Sequence, residues 1–309
     1  MKIVYMGTPQ FAAVPLEKLY KAGHSIELVV SQPDRPKDRG HKLQACPVKL
    51  KAQELGLTVE TPEKIRGNED FIGRIKNIAP ELIVVAAFGQ ILPKEVLDIP
   101  RYGCVNIHAS LLPEYRGAAP IHRAIMDGKR ETGVSLMFMA EKLDTGDVFA
   151  VAKTDIGRKN TPELFAELAE LGGDLLVEKI PEIENGSVIR VKQDDSMATY
   201  AKMVFKDDGI IDFSRSPEEI DCLVRGLYGG PSAWTMWKGE KMKVHEAHPD
   251  YIDSGKEFGA VLSADKSGIA VACKGGSIIF DNIQVPGKKA MEVNAFLLGN
   301  KIDIGTILG

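Results

Sequence analysis

Cysteine is scarce in this chain and scattered. Cys46, Cys104, Cys222 and Cys273 have neither the spacing of a disulfide framework nor that of a metal site. His24, His41, His122, His245 and His248 show no paired metal spacing either, so no metal is expected. Long apolar runs are missing, and nothing approaches membrane-spanning length. The opening Met1-Lys2-Ile3-Val4-Tyr5-Met6-Gly7 is too short an apolar run for a signal peptide and reads as a first strand. Together these absences set the expectation of a reducing, cytoplasmic setting without a membrane partner. Excess positive charge is also lacking. The formal net charge is −4, so no global field draws nucleic acid and any such contact must come from a local patch. There is no internal repeat and no low-complexity tract.

Two catalytic motifs are missing as well. Gly7-Thr8-Pro9-Gln10-Phe11-Ala12 follows a first strand, but a dinucleotide fingerprint needs glycine where Pro9 and Ala12 stand. Proline has no N–H to offer a pyrophosphate, and no acid closes the second strand at Val30-Ser31. Nicotinamide chemistry is thereby disfavoured. Ser110 lacks the Gly-x-Ser-x-Gly elbow of a hydrolase nucleophile and reads as a loop anchor.

What is present is long enough, at 309 residues, for two domains. Over the first half, strands alternate with helices. Strands are predicted over 2–6, 26–30, 58–60, 81–87, 103–108 and 134–139. Helices are predicted from the Gly7 turn to about 22, over 47–55, 69–77 and 119–126, and from Thr161 to about 184. The last of these takes Thr161 as N-cap and Pro162 at its first position. That alternation predicts an α/β fold with a doubly wound parallel sheet. Beyond about Asp208, short strands broken by Gly, Pro and Asp predict a small β-barrel. The expected division is 1–189, a linker over 190–207, and 208–309.

The stretch richest in chemistry is Cys104-Val105-Asn106-Ile107-His108, followed by Ser110-Leu111-Leu112-Pro113 and Tyr115-Arg116-Gly117. Strand periodicity puts Asn106 and His108 on one face at a carboxyl end, where open α/β sheets build their sites. An amide donor beside an imidazole suits a reaction in which an oxygen gains charge while a proton moves. Asp144, in Leu143-Asp144-Thr145-Gly146-Asp147, follows a later strand and is the natural third member, able to orient the imidazole. Taken singly, His108 reads as a core histidine and Asn106 as a turn cap. Between Ser31 and Lys51, Arg35, Lys37, Arg39, Lys42, Lys49 and Lys51 stand against only Asp34 and Asp38. This Pro- and Gly-rich excursion is expected to be irregular and to contact phosphate.

With these motifs, and with Pro286-Gly287-Lys288-Lys289-Ala290-Met291, the chain resembles the methionyl-tRNA formyltransferases along its whole length. The resemblance implies a Rossmann-like formyltransferase domain, an OB-like tRNA-binding domain and a monomer. It implies formyl transfer from 10-formyltetrahydrofolate to the α-amine of methionine on initiator methionyl-tRNA. It implies Asn106, His108 and Asp144 as catalytic, and a folate pocket of Phe88, Gly89, Gln90, Ile91, Leu92, Ser110, Leu111, Leu112 and Pro113. Arg35, Lys37, Arg39, Lys42, Lys288 and Lys289 would contact the tRNA. Glu114, where the family more often has a basic residue, and Leu227-Tyr228-Gly229-Gly230-Pro231 depart from its pattern. A sugar-nucleotide amine as acceptor would use the same triad but needs neither the basic loop nor the second domain. A non-catalytic RNA-binding module would leave the triad without a purpose.

Overall fold

The computed structural model describes residues 1–37 and 42–309, with the backbone alone at 36, 37 and 42. Two compact units form. One comprises Met1–Gly117, Thr132–Thr154 and Phe165–Ala201; the other comprises Ala118–Glu131, Asp155–Leu164 and Lys202–Gly309.

The first unit opens with β1 (Lys2–Gly7), α1 (Gln10–Lys21) and β2 (Ser25–Val30). The basic segment is not wholly irregular. Its ends pair as β3 (Arg35–Lys37) and β4 (Lys42–Gln44), with Arg35 opposite Gln44 and Lys37 opposite Lys42. Then come α2 (Pro47–Glu54), β5 (Val59–Glu60), α3 (Glu69–Ile78), β6 (Leu82–Ala86), α4 (Lys94–Leu97), β7 (Cys104–His108) and β8 (Arg116–Gly117). After α5 (Pro120–Met126), which belongs to the second unit, follow β9 (Glu131–Phe138), β10 (Val148–Asp155), α6 (Thr161–Glu184) and β11 (Tyr200–Ala201). The main sheet has seven strands in the order β10-β9-β7-β6-β1-β2-β5. It is parallel from β7 to β5, while β9 runs antiparallel to β7. The chain therefore reverses its direction of travel across the sheet between β1 and β6. That is the position at which doubly wound sheets open a crevice beyond their carboxyl ends.

Alternation decides which way β7 faces. All five of its residues are buried, as expected for a strand covered on both sides. Cys104 joins Val4, Met6, Leu28, Val30, Ile83, Val85 and the α3 residues Phe71 and Ile75 in one core. Ile107 points the other way, toward α6. A β-carbon added at Gly172 of α6 would stand 2.7 Å from Ile107 Cγ2 and 3.2 Å from Val134 Cγ1. Glycine at that helical position is what lets α6 seat so close to the sheet. Asn106 and His108 therefore share the face opposite α6.

The long helix α6 corrects one expectation. Asn160, not Thr161, is its N-cap: Asn160 Oδ1 accepts from Glu163 N at 3.1 Å, and Glu163 Oε2 accepts from Asn160 N at 2.9 Å. The Thr161 hydroxyl is instead spent on Gly226 O at 2.7 Å.

The second unit contains α7 (Pro217–Gly226), β12 (Ala233–Trp237), β13 (Glu240–Asp250), β14 (Val261–Asp265), β15 (Gly268–Cys273), β16 (Gly276–Gln284), β17 (Met291–Glu292) and α8 (Val293–Leu297). Its six-stranded antiparallel sheet runs β12-β13-β16-β15-β14, with β17 also on β16. Met242, Val244, Ile269, Val271, Ile278, Phe280 and Ile283 supply the core, covered by Ile220 and Val224 of α7 and Phe296 of α8. Helix α7 stands where the sequence predicts only short strands. Ser216 and Glu219 form a reciprocal capping box at its start, through bonds of 3.3 and 2.9 Å. Gly226 packs where a β-carbon would meet Met126 Cγ of α5 at 2.5 Å.

Candidate active site

The buried polar residues of the first unit gather at one end of β7. Asn106, His108 and Asp144 are 8%, 6% and 8% exposed. His108 Nε2 lies 2.9 Å from Tyr115 O. A carbonyl only accepts, so Nε2 carries a hydrogen and Nδ1 is the nitrogen left to exchange a proton. Nδ1 faces Asp144 Oδ2 at 3.7 Å, within ion-pair range and beyond a hydrogen bond. The same carboxylate oxygen accepts from Gly117 N at 2.8 Å. The Asn106 side chain hydrogen-bonds to none of the described residues, so a nearly buried amide keeps its donors unspent. The amide atoms themselves are not closed off from solvent, so an incoming oxygen can reach them.

The sequence explains how these groups converge. β7 is pinned on both sides, with Asn106 opposite Val85 of β6 and opposite Met137 of β9. Asp144 sits in the turn from β9 to β10, at φ +53°. Tyr115 (φ +59°) and Ala87 (φ +43°), in the loops leaving β7 and β6, also adopt left-handed backbone. Gly146 is needed for the same turn, because a β-carbon there would collide with Phe138 O.

The two predicted folate segments leave the neighbouring strands β6 and β7. Phe88 and Leu92 are buried, whereas Ile91 is 61% exposed. Phe88 O accepts from Thr8 Oγ1 at 2.9 Å and Gln32 Nε2 at 3.3 Å, and Gly89 is left-handed at φ +86°. The Gln90 amide is already occupied. It accepts from Ile65 N at 2.9 Å and donates to Pro62 O and Glu63 O at 3.1 and 3.3 Å. Ser110 Oγ donates to Glu114 O at 2.6 Å, the anchoring expected of it. Ser135 Oγ bridges the loop by donating to Ser110 O at 2.7 Å and accepting from Leu112 N at 3.0 Å. At positions 90 and 110 the side-chain donors are spent, which leaves acceptor lone pairs and backbone to face a ligand. Leu111, Leu112 and Pro113 are half-buried.

Of the predicted cationic contacts, Arg35 is exposed and lies 3.4 Å from Gln32 Oε1. Arg39 and the side chains of Lys37 and Lys42 lie outside the described residues. Lys288 and Lys289 are exposed between β16 and β17. A cavity of about 310 Å³ is lined by Thr8, Gln32, Pro33, Arg35, Gln44, Cys46 and Gly89. A larger depression of about 820 Å³, along Glu63 to Asp70, holds none of the buried polar side chains and carries no chemistry.

Four residues that sequence reasoning passed over support this site. Arg116, 2% exposed, and Gln193, 8% exposed, bond to each other. Thr199 Oγ1 accepts from Tyr115 N at 2.8 Å, and Ser135 spans the loop as above. A polar Gln193-Asp194-Asp195-Ser196 run reads as linker, and nothing local signals that Gln193 turns inward.

The comparisons agree with this architecture. The formyl transferase family profile matches residues 1–180, and the formyl transferase C-terminal domain profile matches 203–301. The methionyl-tRNA formyltransferase of Clostridium novyi (strain NT) is 46% identical over 309 residues, covering all of both chains. That of Geotalea daltonii is 45% identical over all of this chain and 98% of its own. Among solved structures, the sugar 3N-formyl transferase WlaRD, studied with dTDP and 5-N-formyl-THF, has a TM-score of 0.67 at 19% identity, covering 94% of this chain and 99% of its own. HypX from Aquifex aeolicus has a TM-score of 0.66 at 17% identity, and this chain, 99% covered, spans about half (52%) of its length. At such identities the likeness concerns the fold alone. Full-length similarity to the curated relatives and two matching profiles place the chain in the formyl transferase family, among the methionyl-tRNA formyltransferases.

Proposed function

We propose that the chain transfers the formyl group of 10-formyltetrahydrofolate to the α-amine of methionine on initiator methionyl-tRNA. The observation that carries this reading is the unspent Asn106 amide beside a histidine whose Nδ1 is turned toward a buried carboxylate. The donor, a co-substrate, brings an activated formyl carbon. The loops leaving β6 and β7 hold it, with Phe88 and Leu92 as apolar walls. Asn106 donates to the formyl oxygen as charge builds there, a contribution of about 3 kcal/mol for one such donor. His108 Nδ1 takes the proton released as the amine nitrogen bonds to the formyl carbon, and returns it to the departing folate nitrogen. Asp144 steadies the imidazolium between those two events. No step calls on a metal.

The acceptor reading rests on full-length similarity to the curated relatives and on the charge of the β3–β4 hairpin. The cavity bordered by Arg35 and Gln44 at its base is where the tRNA's acceptor end would lie. The test is to offer the purified protein 10-formyltetrahydrofolate with methionyl initiator tRNA, and in parallel with an amino-sugar nucleotide. Formyl product on the tRNA alone is expected, with Arg39→Ala raising the KM for tRNA and leaving folate binding intact. Product on the sugar alone would keep the chemistry and overturn the acceptor.

A further inference from the structure

We infer that Gln193 is a positioning residue for Asp144, locked in its working orientation by the buried guanidinium of Arg116. This rests on the reading of Asp144 as the partner of His108.

Every hydrogen-bonding capacity of the Gln193 amide is committed. Nε2 donates to Asp144 O at 2.9 Å and to Gly146 O at 2.7 Å. Oε1 accepts from Arg116 Nε at 3.0 Å and Arg116 Nη2 at 2.8 Å. Only one orientation satisfies this set. A flipped amide would oppose N–H to guanidinium and oxygen to two carbonyls. Arg116 therefore selects the orientation in which Gln193 grips the backbone on both sides of Thr145. Its Nη2 also reaches Asp195 Oδ1 at 2.8 Å, which gives the buried cation a counter-charge.

The grip matters because of what it holds. Asp144 is left-handed at φ +53°, a region uncommon for residues with a β-carbon though aspartate enters it more readily than most, so holding it there is eased by contacts on both flanking carbonyls. Its carboxylate is fixed separately, by Gly117 N at 2.8 Å. The dipeptide Arg116-Gly117 thus acts twice, through Gln193 on the Asp144 backbone and directly on the Asp144 side chain. It is itself held, since Arg116 and Gly117 pair with Tyr200 and Ala201. A gap of 3.7 Å between Asp144 Oδ2 and His108 Nδ1 is sensitive to small rotations of this turn.

Gln193→Glu separates positioning from structural support. The new carboxylate still accepts from Arg116 but can donate to neither carbonyl. We expect kcat to fall on the order of 10- to 100-fold, as for a small misplacement of a catalytic group. KM for both substrates should stay within about two-fold, so that the loss falls on kcat alone, which a merely structural role would not produce. Unchanged kcat, or a loss that disappears when the variant is assayed well below its unfolding temperature, would overturn the inference. Should Gln193→Glu not fold, Arg116→Lys carries the test: it keeps the charge, frees the amide to turn, and should lower kcat more weakly, again without raising KM. Asp144→Asn is measured alongside. A slow Asp144→Asn with a normal Gln193→Glu defeats the positioning role alone. A normal Asp144→Asn defeats the reading of Asp144 on which it rests.

Discussion

The two units bury polar side chains in different ways. In the first, Asn106, His108, Ser110, Arg116, Ser135, Asp144 and Gln193 lie between residues 106 and 195 and converge on one strand end. Most are tied together, but Asn106 keeps free donors and His108 Nδ1 faces a carboxylate without bonding to it. In the second unit the buried polar groups are scattered along the chain, and two atoms, Thr235 Oγ1 and Asn282 Oδ1, have no partner among the described residues. Thr161 Oγ1 holds Gly226 O, Ser277 Oγ holds Asp250 Oδ2 at 3.1 Å, and Asp221 is clasped by Arg158 and Arg225 at 2.9 and 2.8 Å. What distinguishes the first unit is convergence on one strand end, not saturation as such. The contrast is between polar groups gathered at one place, as the proposed chemistry needs, and polar groups dispersed through a fold.

Removing a group at the convergent strand end should therefore cost rate, and removing one of the second unit's isolated staples should cost stability. The largest effect is expected at the strand end. Asn106→Ala and His108→Ala should each lower kcat on the order of 100- to 1,000-fold with little change in KM or unfolding temperature. Steady-state kinetics at normal rate in either variant would remove that residue from the mechanism.

Next in size, Asp221→Ala leaves the largely buried Arg225 without its carboxylate. The second unit should lose about 2–3 kcal/mol, read from the urea midpoint, while the folded fraction turns over normally. A large kcat loss at full stability would erase the contrast between the units.

The smallest effect concerns acid. Burial, helped by the Arg123 charge, holds His122 below the ordinary histidine range. The unfolded chain thus binds that proton first, and stability is lost as pH falls from about 6.5 through the depressed folded value. Asp208 is held low by the Phe205 N–H and then by Arg123, so its contribution is lost only below about pH 4. His122→Gln should shrink the upper window of a stability–pH curve, which burial of His24 also feeds, and leave the lower one. An unchanged upper window would shift the effect to another group.

Legibility in the sequence followed the range of the interaction. The Asn106-x-His108 alternation is local and showed both residues on one face, and the buried runs at β6 and β7 declared a parallel sheet. Asn160 and Ser216 were legible too, since each stands three residues before a glutamate, but one cap was placed a residue late and the other overlooked. Gln193 and Arg116 bond across 77 positions. No window of local sequence distinguishes an inward glutamine in a polar run from a solvated one. The β3–β4 pairing was hidden because proline and glycine in the segment argued for irregular chain.

The register of β7 has a bearing on how this gene can change length. Flanked by β6 and β9, the strand cannot shift by one residue without exchanging its faces. A single codon gained or lost between Gly103 and Asn106 would send Asn106 and His108 toward α6 and present Val105 and Ile107 to the substrate side. The loops at 87–92 and 109–115 can absorb insertions at their tips. The five residues of β7 are counted out by the sheet, so a lineage altering the reach of this site must do so in its loops.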